Sequence, residues 1–350
     1  MKAYMLHGIN DLRLETTPDP VPEENEVIVK VRSAGICGSD IPRIFKTGTY
    51  TYPLIPGHEF SGVVTSIGKN VDAKWLGKRV GIFPLIPCLT CESCIKKQYE
   101  MCKNYNYLGS RRAGGFAEYT AVPVENLIEL PDRVSFDEAA MLEPMAVAVH
   151  AMRRFQPNQQ DTIAVCGLGT IGLLLLKFLK EAGIKHVLAI GNKESQKEIV
   201  LRMGISIEEY CDCREMNAGE WIKAHTGGRG VDVFFECVGR NEILELAIDN
   251  AASAGKIMLV GNPNTDMTLE KSIYWKILRN QLTVAGTWNS SFTHDREDDW
   301  HYVIERLEQN TINPSDIISH RLSLEKLETG FTVMRDKTED YVKIMGNFKD

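Results

Sequence analysis

Hydrophobic and polar positions fall into two regimes along the chain. Up to about residue 150 the apolar runs are short, rich in Val and Ile, and separated by Gly and Pro. The run at 26–32 (EVIVKVR) and the stretches at 60–68 and 116–122 predict strands of a mostly β domain. Near residue 160 the pattern changes. A short apolar strand is predicted at 161–166 (DTIAVC), a helix at 170–182, a strand at 186–190 and a helix reaching Met203. Strands at 232–237, 256–260 and 282–286 follow, with a helix at about 241–252 before the second. Strand alternating with helix predicts an α/β domain with a doubly wound parallel sheet. The last 55 or so residues carry two amphipathic helical stretches and a short strand at 341–345. No internal repeat, low-complexity tract or long linker interrupts this order.

Composition fixes the broad class. A chain of 350 residues has room for about two domains. With 43% hydrophobic and 25% charged residues it is ordinary for a soluble globular protein, neither disordered nor fibrous. A net charge of −7 and a pI near 5.7 leave no basic field for nucleic acid or anionic lipid. The longest apolar stretch, 163–176, is broken by small residues and too short to span a bilayer. The opening MKAYMLHGIN has no apolar signal region, so a cytoplasmic protein without membrane or nucleic-acid partners is expected. Four of nine cysteines fall between 88 and 102, which in such a protein points to metal rather than disulfides.

Residues 167–172 read GLGTIG, a G-x-G-x-x-G between a predicted strand and a predicted helix. In that context Gly167 allows the tight turn, Gly169 lets a pyrophosphate approach, and Gly172 allows close helix packing. With Thr170 and Ile171 they open a helix whose first N–H groups can meet phosphate. The second strand distinguishes the dinucleotides. An NAD site carries an acid about 20 residues on, bonding the ribose 2′-hydroxyl. Here that place is Gly191, followed by Asn192 and Lys193. Glycine leaves room for a 2′-phosphate and Lys193 could neutralise it, so NADP is favoured; NAD remains the alternative if Glu194 takes the acidic role.

Cys88, Cys91, Cys94 and Cys102 form C-x2-C-x2-C-x7-C. Four thiolates so close in sequence can wrap one tetrahedral zinc ion in a closed, structural site, with an iron–sulfur cluster as the competing reading. A second set is dispersed: Cys37-Gly38-Ser39-Asp40, Gly57-His58-Glu59-Phe60 and Glu143-Pro144. Singly, His58 could be a satisfied core residue and Glu143 a helix N-terminal charge. Together Cys, His and Glu supply three ligands of a catalytic zinc and leave one position open. Such a zinc would polarise an alcohol oxygen while hydride passes to a nicotinamide.

These motifs, with GGFAEY at 114–119, resemble the zinc-dependent medium-chain dehydrogenase family over nearly the whole chain. Longer matches at 39–48 (SDIPRIFKTG), 84–94 (PLIPCLTCESC) and 109–119 (GSRRAGGFAEY) are most similar to its galactitol-1-phosphate 5-dehydrogenase branch, related to sorbitol dehydrogenases. The resemblance implies a GroES-like catalytic domain made of 1–148 and 292–350, with a zinc lobe at about 84–105, around a Rossmann domain at 149–291. The active site then lies in the cleft between them. It implies two zinc ions per chain: a catalytic one on Cys37, His58 and Glu143, and a structural one on the four cysteines. Glu59 either supports the catalytic shell from outside or enters it. Ser39 bonds the zinc-bound alcohol and relays its proton, and Asp40 orients the site. The nicotinamide is held near Val260, Gly261 and Thr287. A homodimer or homotetramer is implied as well.

Three departures qualify this. Pro42 stands where many relatives have a relay His, so water completes the proton path. Gly191 departs from the NAD-using polyol enzymes. The C-terminal YVKIMGNF differs from the commoner GKV-type strand, with small expected consequence. A phosphorylated substrate needs cations, and Arg43, Lys46, Arg111 and Arg112 fall in segments that flank the family's cleft. The pair Arg111 and Arg112 is the preferred choice, with Tyr50 and Trp288 as further candidates to line the site. The expected reaction is oxidation of a secondary hydroxyl of galactitol 1-phosphate, or a related hexitol phosphate, to a keto-sugar phosphate. An unphosphorylated polyol, a secondary alcohol or a threonine-like substrate is the first alternative. A non-catalytic zinc- and nucleotide-binding protein is the second.

Overall fold

The computed structural model describes residues 1–263 and 265–348. The chain forms two compact units: Met1–Ala146 joined by the segment from Ser290 onward, and Val147–Asn289. Each boundary falls two residues earlier than the sequence reading put it.

The first unit is organised by one long strand, Glu26–Ile36. Its apolar run leaves almost no residue exposed, because it has sheet neighbours on both sides. Glu59–Ile67 pairs antiparallel along one side. Along the other, Tyr119–Pro123 pairs with its first half and Lys343–Asn347 with its second. Val27, Val29 and Val31 meet Phe60, Val64, Phe116 and Phe331 in a single core. Register then decides function. Gly35 lies opposite Glu59, and Ile36 opposite Ile344. Cys37, His58 and Lys343, far apart in sequence, are thereby delivered to the same end of the sheet. Nearby, Leu85–Ile86 pairs with Asn106–Tyr107 and closes the base of the four-cysteine loop.

The second unit is a parallel sheet of six strands: β1 Thr162–Cys166, β2 His186–Gly191, β3 Tyr210–Asp212, β4 Val231–Glu236, β5 Ala251–Leu259 and β6 Thr283–Gly286. The spatial order is 3-2-1-4-5-6. That order reverses between β1 and β4, and dinucleotides bind at the carboxyl ends of the strands at such a switch point. Helix α1, Thr170–Glu181, leaves β1 there and buries Leu173, Leu174, Leu175 and Leu176. Strand β3 was not anticipated, because three residues are too few to show a period. Among the described residues no helix is long and apolar enough to cross a membrane.

Candidate active site

At the end of the first unit's sheet, donor atoms of Cys37, His58 and Glu59 all lie within 4.8 Å of one another. Local chemistry fixes each. Gly57 has φ +95°, and a Cβ there would come within 2.7 Å of the Phe116 ring, so only glycine turns the chain into His58. Asp40 is fully buried and serves three groups. It accepts the Cys37 N–H at 2.9 Å and the Arg43 guanidinium at 2.7 Å, and lies 3.4 Å from His58 Nδ1. Burial pushes its carboxyl up, but His58, Arg43 and the Cys37 N–H outweigh this and hold it below its ordinary value. Burial likewise opposes charge on His58, yet Asp40 and Cys37 raise its pKa well above the usual value. Buried His58 Nδ1 has no hydrogen bond of good geometry. A carboxylate beside one ring nitrogen is the arrangement that orients a metal-ligating histidine. The Ser39 hydroxyl donates to Cys37 Sγ at 3.3 Å.

Two buried acids adjoin this set. Glu59 pairs with the buried Lys343, whose ammonium also donates to the Ile36 carbonyl at 3.1 Å. Gly35 permits that pairing, because a Cβ there would overlap the Glu59 carboxylate. Glu143, in the first turn of Leu142–Phe155, accepts the Tyr107 hydroxyl at 3.3 Å and no other hydrogen bond among the described residues. Burial, with the charge of Glu59 adding, pushes Glu143 up to about 7 against the pull of His58. The expected third ligand is therefore outside the tightest donor group, and Glu59 is inside it. The donor chemistry of one thiol, one imidazole and a carboxylate suits a catalytic zinc. Lys343 and Tyr107 were missed from sequence. Lys343 is 284 residues from its partner, and its one signal was a lysine inside an apolar terminal strand.

The donor sulfurs of Cys88, Cys91, Cys94 and Cys102 also lie within 4.8 Å of one another. Two of their separations are 3.9 Å. Four thiolates about 2.3 Å from one tetrahedral ion stand ~3.8 Å apart, so the lobe fits a single zinc better than a cluster that spreads its thiolates over several irons. The Thr90 N–H and hydroxyl hold Cys88 down at about 6, while burial pushes Cys94 up to about 12.

In the second unit a Cβ on Gly167 would strike Val238, and one on Gly172 would overlap the Gly167 carbonyl. A Cβ on Gly169 would meet nothing within 4 Å, so the backbone is open on that side. At Gly191 the expected room is missing: a Cβ would come within 2.9 Å of Gln196, Leu168 and Tyr210. Gln196 accepts the Asn192 N–H at 3.0 Å and Tyr210 donates to the Lys193 carbonyl at 3.2 Å, so these side chains brace the turn and would have to shift to admit a larger residue at 191. Asp212, the acid in register with Gly191, is occupied by Arg214 at 2.9 Å. Glu194 is solvent-facing and pairs with Lys197 at 3.3 Å. Sequence reasoning also missed Glu236. Its side chain accepts the Val238 and Gly239 N–H groups at 2.8 Å, and its carbonyl accepts those of Val260 and Gly261 at 2.8 and 2.9 Å. Thr287 donates its N–H to Leu259, and its buried hydroxyl has no partner.

The substrate candidates separate. Arg43 is committed to Asp40. Arg112 is paired with the buried Glu26, which removes its fork from ligand binding. Lys46 is exposed on the short helical turn Arg43–Thr47. Arg111 alone among the arginines of these segments has no carboxylate partner, and its guanidinium lies over the rings of Tyr50 and Tyr105. Tyr50 and Trp288 are both more than half exposed.

Comparison with known proteins agrees with this geometry. Residues 23–132 match the alcohol dehydrogenase GroES-like domain family and residues 170–309 the zinc-binding dehydrogenase family. The galactitol 1-phosphate 5-dehydrogenase of Escherichia coli strain K12 is 34% identical over 311 residues, 89% of each chain. The crystal structure of galactitol-1-phosphate dehydrogenase from Escherichia coli superposes with a TM-score of 0.91 at 32% identity, covering 99% of this chain and 100% of that one. A zinc-binding dehydrogenase from Sinorhizobium meliloti bound to NADP superposes with a TM-score of 0.90 at 26% identity, covering 99% and 98%. With a GroES-like half, a Rossmann half and the donor set of the fold, the chain belongs to the zinc-dependent alcohol and polyol dehydrogenases of the medium-chain family.

Proposed function

We propose that this enzyme oxidises a secondary hydroxyl of a polyol phosphate, galactitol 1-phosphate or a close hexitol phosphate, with hydride transfer to NADP+. The observation that carries the reading is the Cys37–His58–carboxylate set with the Ser39 hydroxyl donating into it. Cys37, His58 and Glu143 would hold the catalytic zinc, and Cys88, Cys91, Cys94 and Cys102 the structural one. Zinc, when bound, lowers the pKa of an alcohol oxygen. Asp40 keeps the His58 ring oriented, and Ser39 accepts the substrate proton and passes it to water, since Pro42 offers no group. The Gly167–Gly172 turn takes the pyrophosphate, and Asn192 and Lys193 meet the 2′-phosphate. Val260, Gly261 and the unpartnered Thr287 hydroxyl receive the nicotinamide carboxamide. A reducing, cytoplasmic setting suits nine cysteines that form no disulfide among the described residues.

The test is a rate comparison with zinc-loaded enzyme. Galactitol 1-phosphate and galactitol are each supplied with NAD+ and with NADP+, and reduced nicotinamide is followed by absorbance. The expected result is a strong preference for the ester and for NADP+, the latter falling about tenfold in Lys193→Glu. Equal rates with the free polyol would overturn the phosphate part; a preference for NAD+ would overturn the cofactor part.

A second copy of the chain is the proposed partner. Strand β6 is a sheet edge, with Val284 partly exposed on it. The preceding helix, Lys271–Arg279, leaves Tyr274, Trp275 and Leu278 about half exposed. An open edge beside an apolar face invites two-fold pairing with itself. Light scattering should give twice the chain mass, and Val284→Lys should shift the distribution to monomer. A monomeric parent would refute the dimer.

A further inference from the structure

Arg111 is held in an unusual way. Its guanidinium carbon lies 4.1 Å from the Tyr50 ring centroid and 4.5 Å from that of Tyr105. The buried Nε has no hydrogen-bond partner, and among the described residues no carboxylate pairs with the group. Neighbouring arginines are spoken for: Arg43 by Asp40 and Arg112 by Glu26. Cation–π contacts with two rings meet the charge of the guanidinium without hydrogen-bonding its N–H donors. A cation so presented lacks only an anion, and a fork of N–H donors matches two phosphate oxygens.

The same rings tie this cation to the metal-ligand set. Tyr105 meets Tyr107 edge-on at 6.1 Å, and Tyr107 meets His58 at 5.8 Å while its hydroxyl donates to Glu143. Arg111 thus stands a fixed number of ring steps from His58, all within one compact unit. A ligand with a charged end and a remote reacting hydroxyl is one that could use both. The loop that carries Tyr50 is pinned beside Arg111, because the Thr49 hydroxyl donates to the Ser110 carbonyl.

We infer that Arg111, held against the rings of Tyr50 and Tyr105, is the anchor for the phosphate monoester of the substrate, and that Arg112 is not. This rests on the polyol phosphate reading above. Arg111 sets affinity and specificity, while the bond-breaking chemistry belongs to the groups around Cys37 and His58.

The experiment compares kcat and KM for galactitol 1-phosphate and for galactitol in the parent, Arg111→Met, Arg111→Lys and Arg112→Met. The inference expects Arg111→Met to cut the ester-over-polyol ratio of kcat/KM about 100-fold, mostly through KM. Arg111→Lys, which keeps a charge but loses the fork, should recover only part of that ratio. Arg112→Met should leave the ratio standing even where it costs stability. If the parent prefers the ester and Arg111→Met keeps that preference, the anchor is elsewhere and the substrate reading survives. If the parent never prefers the ester, the substrate reading itself falls and the anchor with it. Should Arg111→Met fail to fold, Tyr50→Ala, at an exposed position, tests the ring contact instead. It is expected to raise KM for the ester about fivefold, and an unchanged KM would overturn the inference.

Discussion

Replacing Lys343 by Met is expected to destabilise the enzyme by about 3–5 kcal/mol, a large fraction of what holds an ordinary domain folded. Lys343 and Glu59 are both essentially inaccessible, with side-chain exposures of 2% and 1%. Taking two charges out of water is costly, and their mutual attraction with the added bond to the Ile36 carbonyl offsets that cost. Removing the ammonium leaves the Glu59 carboxylate buried and unpaired beside Glu143 and Cys37, all of one charge sign when ionised. The midpoint of denaturant unfolding reads the effect. Lys343→Met combined with Glu59→Gln should recover much of the loss, because no uncompensated charge then remains. A Lys343→Met variant as stable as the parent would show that Glu59 is neutral in the fold, and the ion pair would have to be abandoned.

The same lysine shows where sequence reading runs out. Motifs that act through local backbone geometry were legible: GLGTIG needed only a strand before it and a helix after it, and the long parallel-sheet strands announced themselves as apolar runs. The mostly β half was legible as strands but not as a register, and register is what joins residues 37, 58 and 343. The terminal strand was expected to matter little, yet Lys343 within it balances a buried acid at the metal-ligand set. Arg111 and Arg112 are indistinguishable in sequence. What separates them is a contact 86 residues away for Arg112 and a pair of tyrosine rings for Arg111. Gly191 was expected to leave room for a 2′-phosphate, yet Gln196, Leu168 and Tyr210, brought there by the fold, crowd that position.

Glu143→Gln is expected to remove about one zinc per chain and to lower kcat/KM by about three orders of magnitude or more, while Glu59→Gln keeps both zinc ions and most of the rate. Proximity alone argues the other way, since Glu59 shares the 4.8 Å donor group with Cys37 and His58 and Glu143 does not. Charge balance decides between them. Glu59 already has a full cation in Lys343, whereas Glu143 is buried with only a neutral phenol hydroxyl for a partner. A divalent ion therefore gains more from Glu143, which has no paired cation of its own, than from Glu59, which would have to give up its lysine. Tyr107 can release Glu143 at the cost of one neutral hydrogen bond, about 1 kcal/mol, a small charge against a metal–carboxylate bond. Metal analysis of the two dialysed variants, alongside their rates, separates the assignments. Zinc lost from Glu59→Gln but retained in Glu143→Gln would make Glu59 the ligand, and Lys343 would then act as a counter-charge to the metal shell itself.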